Sequence, residues 1–142
     1  MNILPKTGIA DIKLGMTKKE ILTFLGQPMS KEENPDEDIW EFSNEVELSF
    51  QKNDAYLLSS IIVSSSDALL GSKNIVGISE ADFLIEFPSF QLDEDFGENG
   101  KSYWDTELEL MAWVFEGGVI NVTVFPEYDE ENDAPIWPSK NS

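Results

Sequence analysis

The sequence predicts an α+β fold made of two tandem helix-plus-antiparallel-sheet repeats, which form one continuous sheet with helices on one face. Two observations lead to this prediction. A capped helical segment recurs 62 positions later in the chain, and the residues after each helix alternate between apolar and polar side chains. We assign residues 1–70 to the first repeat and residues 71–142 to the second, with an acidic C-terminal tail. We expect one compact globule, because a unit of roughly 70 residues buries only a marginal core.

The first helix is predicted to begin after Thr17, which forms a capping box with Glu20. Gly26, followed two residues later by a proline, ends it. The matched pairs of the second segment, each at an offset of 62, are Gly15–Gly77, Thr17–Ser79, Glu20–Asp82, Leu22–Leu84 and Leu25–Phe87. Both helices are therefore expected to be short and to begin at a hydroxyl side chain.

Strands are predicted after each helix, because apolar residues occupy every second position. The core-facing residues expected in the first copy are Trp40, Phe42, Val46, Leu48 and Phe50. Those expected in the second copy, at an offset of 64, are Trp104, Leu110, Ala112 and Val114. With a further strand over residues 57–63 and 119–125, each copy is expected to contain about three antiparallel strands. The tail from residue 127 to 142 is expected to be irregular, with Ile136 and Trp137 holding it to the globule.

The charge of the chain limits its partners. The 142 residues carry a formal net charge of −19, from 28 Asp and Glu against 9 lysines, and arginine is absent. Such a surface repels phosphate groups, so neither nucleic acid nor an anionic membrane is expected as a partner. A basic protein is favoured, because complementary fields accelerate encounter. Solubility alone is the alternative explanation of the same charge.

The absence of cysteine and histidine narrows the chemistry that is available. It excludes disulfides, thiolate nucleophiles, thiolate zinc sites and the commonest general base. We expect no enzymatic activity, no cofactor and no metal, and a carboxylate enzyme is the catalytic class that stays open. The sequence contains neither a recognisable export signal nor a stretch of roughly 20 apolar residues, so a cytoplasmic location is expected.

Two strings of the first copy resemble a known repeat signature. Residues 14–21, LGMTKKEI, are closed by LGQP at residues 25–28. This pattern is similar to the one that opens the repeat of the β-lactamase-inhibitor-protein-like fold, and the small lipoprotein of the outer-membrane barrel-assembly machinery carries a similar string. The resemblance covers roughly residues 8–125 and implies two tandem copies whose exposed sheet face grips a protein target. Because this chain lacks the cysteines of both families, its composition is closer to that of the small acidic immunity proteins of bacterial toxin systems.

The sheet face opposite the predicted core combines aromatic rings with carboxylates, as protein-binding hot spots do. The residues predicted for this face in the second copy are Tyr103, Asp105, Glu107, Glu109, Met111, Trp113 and Phe115, with Asn121, Thr123 and Phe125 on the neighbouring strand. The alternative is that a helix or the C-terminal tail covers the face, since both faces are apolar.

Acidic loops are expected to join helix and strand at equivalent places in the two copies. They contain Asp36, Glu37 and Asp38 in the first copy, and Asp93, Glu94 and Asp95 in the second. A third acidic segment runs from residue 129 to 133. Such loops can mimic a phosphate backbone in the cationic cleft of a nuclease, and solvated charge runs are the alternative.

These observations predict an immunity-type inhibitor that binds and neutralises a basic toxin domain by protein–protein contact. A nuclease is one candidate for the toxin. The residues predicted to touch the partner are the six acids of the first two loops together with Tyr103, Glu107, Glu109, Trp113 and Phe115. The alternative is a non-catalytic structural or assembly adaptor that binds an endogenous protein.

Overall fold

A computed structural model describes residues 1–138 of the chain. In chain order its elements are β1 (Asn2–Leu4), β2 (Gly8–Ile9), β3 (Ile12–Lys13), α1 (Lys18–Leu25), β4 (Ser30–Glu33), β5 (Glu37–Phe42), β6 (Val46–Gln51), β7 (Leu58–Val63), β8 (Leu69–Leu70), β9 (Lys73–Asn74), α2 (Glu80–Glu86), β10 (Gln91–Asp95), β11 (Lys101–Asp105), β12 (Leu110–Phe115), β13 (Gly118–Val124), β14 (Glu127–Asp129) and β15 (Ala134–Ile136). Two short 3-10 helices cover Lys52–Asp54 and Gly97–Asn99. Neither α1 nor α2, nor any other helix within residues 1–138, is long and apolar enough to cross a membrane.

The largest element is an eight-stranded antiparallel sheet with the order β10-β11-β12-β13-β7-β6-β5-β4. Its order is symmetric about the central β7–β13 pair, so each half consists of four strands that follow one another in the chain. A smaller five-stranded sheet has the order β3-β2-β1-β8-β9, and β14 pairs with β15 in a separate hairpin. The proposed boundary between residues 70 and 71 falls in the turn that joins β8 to β9.

The prediction of an α+β fold, with two tandem helix-plus-sheet repeats and helices on one face, was wrong. Strands account for 47% of the described residues and helices for 15%, and the two α-helices have only 8 and 7 residues. Much of the layer over the core is the five-stranded sheet, which contributes Ile3, Ile9 and Ile12 to the core cluster. Its strands have two or three residues each, so they are too short to produce the alternation by which strands are recognised. The molecule is a mostly β protein.

Both helices begin as their sequences predict. The Thr17 hydroxyl accepts from the Glu20 backbone N–H, and the Glu20 carboxylate accepts from the Thr17 N–H at 3.0 Å, which confirms the capping box. Ser79 caps α2 through the Asp82 N–H at 3.1 Å. Each helix is fixed to the core by one fully buried side chain, Ile21 in α1 and Phe83 in α2.

The alignment of Trp40 with Trp104 was wrong by one residue. Trp40 pairs with Leu48 across β5 and β6, and the corresponding neighbour of Ala112 across β11 and β12 is Tyr103. Trp40 and Tyr103 are accordingly both buried on the covered face of the sheet, at 5% and 6% exposure. Trp104 points to the opposite face, because successive residues of a strand alternate.

An ion pair joins the start of each helix to its half of the sheet, with the charges exchanged between the halves. In the first half the Lys18 ammonium of α1 pairs with Asp38 of β5. In the second half the carboxylate of Glu80 in α2 pairs with Lys101 of β11 at 3.1 Å. Lys18 also lies 5.7 Å from the Trp40 ring centroid, close enough for a cation–π contact. Each half of the molecule therefore has an ion pair between helix and sheet at the same place, formed by different residues.

The C-terminal segment is more regular than expected, because residues 127–136 form the β14–β15 hairpin. Trp137, which follows it, packs against the core as predicted. Its ring carbons lie 2.9 Å from the place that a Cβ on Gly15 would occupy. Ile136 is 46% exposed, so Trp137 holds the segment without it.

Alanine substitutions at Gly15 and Gly77 provide a matched test of how tightly Trp137 packs on Gly15. Both have a left-handed φ, 88° and 89°, but a Cβ on Gly77 meets only the Ser66 side chain, at 3.6 Å. Gly77→Ala is expected to lower the free energy of unfolding by about 1–2 kcal/mol through backbone strain alone. Gly15→Ala is expected to lower it by at least about 1 kcal/mol more, because the new methyl group overlaps the Trp137 ring. Urea unfolding of both variants measures the difference, and equal losses would show that Trp137 does not pack tightly on Gly15.

Candidate functional site

The face of the eight-stranded sheet that points away from the core is the candidate site, and we call it the open face. Strand register places one row of its side chains across seven strands, from β11 to β4, and the row consists of Trp104, Met111, Thr123, Ile62, Glu47, Glu41 and Ser30. Trp113 and Asn121 form a second pair beside it. The second half of the open face is therefore largely apolar, and the first half is acidic.

Two aromatic pairs form the apolar part of the open face. Trp104 and Phe125 meet edge to face with ring centroids 5.2 Å apart, and Phe96 lies 5.6 Å from Trp113. Gly100 gives Trp113 room, since a Cβ there would lie 2.9 Å from the indole ring. All of these rings except the more exposed Phe96 are half-buried, so each is held by neighbours and still presents one side to solvent. Rings placed in this way are suited to anchor a partner surface.

Carboxylates form the acidic part. Glu47 stands directly opposite Glu41 on the neighbouring strand. Burial raises the pKa of Glu47, and the negative charges of Glu41, Glu32 and Glu37 raise it further. Glu37 accepts hydrogen bonds from the Ser49 hydroxyl at 2.8 Å and from the Gln51 amide, which hold its carboxylate in place. The cluster carries excess negative charge, so a cationic partner bound there would reduce the repulsion between its carboxylates.

The placement of Tyr103 on the binding face was wrong. Its ring packs on Phe83 of α2 at 5.3 Å, and its hydroxyl donates to the Glu80 carboxylate at 2.6 Å. Burial raises the pKa of Tyr103 to about 12, with Glu80 as the second cause. Asp105 is also on the covered side, 3% exposed, where it accepts from the Ser89 hydroxyl at 2.6 Å.

Trp104 is the residue of the open face that sequence reasoning missed. Residues 103–115 were treated as one alternating run, but the four-residue turn of residues 106–109 reverses the chain. The turn pairs Trp104 with Met111, so even positions of β11 share a face with odd positions of β12. Pairing the two segments as a hairpin around this turn would have identified Trp104.

The other predicted contact residues of the second half lie around the apolar part. Trp113 is on the open face, and Phe115 is half-buried at the end of β12. Glu107 is exposed in the turn before β12. Glu109 is half-buried in the same turn, where burial raises its pKa against the opposing effect of Lys6.

The predicted acidic loops are largely strand. Asp93, Glu94 and Asp95 are exposed residues of β10, while Glu37 and Asp38 begin β5 beside the turn that holds Asp36. The strands β10 and β4 are the two edges of the sheet, and seven strand spacings of about 4.8 Å place them roughly 34 Å apart. Charged edges prevent sheets from joining, which is one reason for acids there. Within residues 1–138, no group of three or more acids is arranged to hold a metal ion.

Comparisons with known proteins assign neither a family nor a function. No family model matches the chain, and no curated protein matches it. Among solved structures the chain is similar to an extracellular protein containing a SCP domain from Bacillus anthracis str. Ames, with 12% identity and a TM-score of 0.49. The match covers 80% of this chain and 44% of that protein, so the chain spans less than half of its length.

Glu47→Gln tests the electrostatic state of the open face. A carboxyl with a raised folded-state pKa is penalised when it ionises, so the penalty is full above that pKa and absent below the unfolded value of 4.5. The substitution is expected to raise the free energy of unfolding by about 0.5 kcal/mol near pH 7 and to lose this gain near pH 3.

Urea unfolding across pH measures the effect of Glu47→Gln. Asp11→Asn is the control, because Asp11 is exposed in the turn between β2 and β3 and its substitution removes the same charge. An equal gain from Asp11→Asn, or a gain at Glu47 that grows as the pH falls, would contradict the account.

Proposed function

We propose that the protein is an immunity-type inhibitor that binds a basic toxin domain through the open face and blocks access to the surface on which the toxin acts. The observation that carries the proposal is the pairing of half-buried aromatic rings with carboxylates on one continuous sheet face. Binding and occlusion require no catalytic group, and the open face supplies the two components of a contact surface.

The aromatic part supports the proposal because hot spots of protein interfaces are enriched in tryptophan and tyrosine that fill pockets of a partner. Trp104 and Trp113 stand on neighbouring strands of an eight-stranded sheet, one row apart. A sheet held by backbone hydrogen bonds on both sides fixes these rings before binding. Little conformational freedom is then lost in the complex.

The charge supports a basic partner over a neutral one. The net charge is −19, and the row of side chains across the open face contains carboxylates and no lysine. A cationic surface is attracted to such a field over roughly 8–10 Å at physiological ionic strength. A single protein interface of ordinary size does not cover both acidic edges, roughly 34 Å apart. Asp38 is already paired with Lys18. We therefore assign Asp36, Glu37 and Asp93 to Asp95 mainly to steering, and the tryptophans to affinity.

The test is co-expression with the protein encoded immediately upstream, scored first as rescue of growth and then as affinity of the purified pair across a salt series. Rescue is expected, with association that slows steeply as salt rises. Trp113→Ala is expected to weaken binding by about 30-fold or more, because it removes a central anchor. Ile85→Ala is the control, since Ile85 is an apolar side chain of α2 that is 74% exposed.

Three outcomes would overturn the proposal. One is the absence of both rescue and complex. Another is a complex that tolerates Trp113→Ala as well as it tolerates Ile85→Ala, because contact would then lie elsewhere. The third is tight binding without salt dependence to an endogenous housekeeping protein, which is the behaviour of an assembly adaptor.

A further inference from the structure

A cleft lies at the end of the open face, where the sheet meets the β14–β15 hairpin. Its volume is about 340 Å³, at the lower end of the range for ligand pockets, so it has room for one long side chain. Apolar rings provide much of the wall, and the lining includes Trp104, Phe125, Tyr128, Asp54 and Glu109. None of these residues belongs to the hydrophobic core.

The rings of the cleft are positioned by the sheet and by the hairpin. Trp104 and Phe125 are held edge to face at 5.2 Å, so their free faces are fixed in direction. Tyr128 comes from β14, and its hydroxyl is held by Asp133, the turn residue just before β15. Aromatic faces carry partial negative charge, which attracts a cation placed over them.

Two acidic residues from different elements line the same cleft. Glu109 precedes β12, and its carbonyl accepts from the Phe125 N–H at 3.1 Å, which ties it to the ring beside it. Asp54 lies after β6. The hydrogen bond to Asp133 is the main cause of the raised pKa of Tyr128, and the negative charge of Asp54 raises it further. Burial raises the pKa of Glu109, and Glu127 raises it further against the opposing effect of Lys6.

The charge of the cleft is balanced only in part, by Lys6, which lies outside its lining. No lysine is among the residues that line it, and the sequence contains no arginine. Lys6, the lysine that acts on Glu109, is 3.9 Å from Glu127. A cationic group that entered the cleft would therefore meet carboxylates and aromatic faces with no competing ammonium among the lining side chains.

We propose that this cleft receives an arginine side chain of the basic partner. The inference rests on the proposed function and names the chemistry of one contact within it. Guanidinium is planar, stacks on aromatic rings and donates several hydrogen bonds to a carboxylate in a fixed geometry. Glu109 accepts these hydrogen bonds while Trp104 and Tyr128 present their rings to the guanidinium plane. Lysine, a compact and strongly hydrated cation, satisfies the carboxylates but uses the ring faces less well.

The first experiment needs no partner, because Nα-acetyl-arginine amide serves as the probe in an NMR titration of the full chain. Saturable shifts are expected at the Trp104 indole and at the backbone amides of Phe125 and Glu109. The citrulline analogue has nearly the same shape without the charge, and it is expected to produce no saturable shift. The lysine analogue is expected to bind more weakly than arginine.

Substitutions then test whether Glu109 is the carboxylate that binds the arginine. Glu109→Gln is expected to weaken arginine binding by at least about tenfold, the effect of losing one charge-assisted hydrogen bond. Glu116→Gln is the matched control, because Glu116 is exposed in the turn after β12, has nearly the same φ (52° against 53° for Glu109), and loses the same charge. Circular dichroism checks that both variants are folded.

The proposal is overturned if citrulline binds as well as arginine, or if Glu109→Gln and Glu116→Gln have the same effect. It is also overturned if the shifts are spread over the acidic edges instead of the cleft. These failures are distinguishable from failure of the proposed function. If the partner still needs Trp113 but tolerates Glu109→Gln, the open face is the binding site and the cleft receives no arginine.

Discussion

Three residue pairs between β7 and β13 hold the two halves of the molecule in one sheet: Ile61–Val124, Ile62–Thr123 and Val63–Val122. The four residues of the outer two pairs are fully buried, so the joint is also part of the hydrophobic core. The same pairs determine which side chains of the two halves share the open face. A slip of one residue at this joint would place the tryptophans of one half and the carboxylates of the other on opposite sides of the sheet.

The open face follows from this joint and from the layer on the other side. The small sheet, α1 and α2 bury the covered face, and the core cluster then leaves Trp104, Met111 and Trp113 half-buried on the far side. Keeping such residues near solvent favours aggregation unless something opposes it. The acidic edges and the charge of −19 oppose it, and they also attract a cationic partner. The same negative charge thus explains both how the half-exposed rings stay soluble and how the proposed partner is attracted.

Part of this arrangement could be predicted from residue spacing. The capping box of Thr17 and Glu20 is local, and the buried residues of β5, β6 and β12 were recognised by alternation. Prediction failed where the information is not local. Tyr103 and Trp104 are both large aromatic residues, and their faces depend on how the turn of residues 106–109 pairs the strands. Strands of two or three residues carry no period, so the small sheet and the mostly β character were missed.

The measurement that tests the central claim most directly is hydroxyl-radical footprinting of the protein with and without its partner. The account predicts that Met111 and Trp113 lose reactivity in the complex, while Phe24 and Ile85, which are 53% and 74% exposed on the helices, keep theirs. Protection of the helices with no change at Trp113 would contradict the account. Such a result would place the binding surface on the covered side of the sheet and leave the open face without a function.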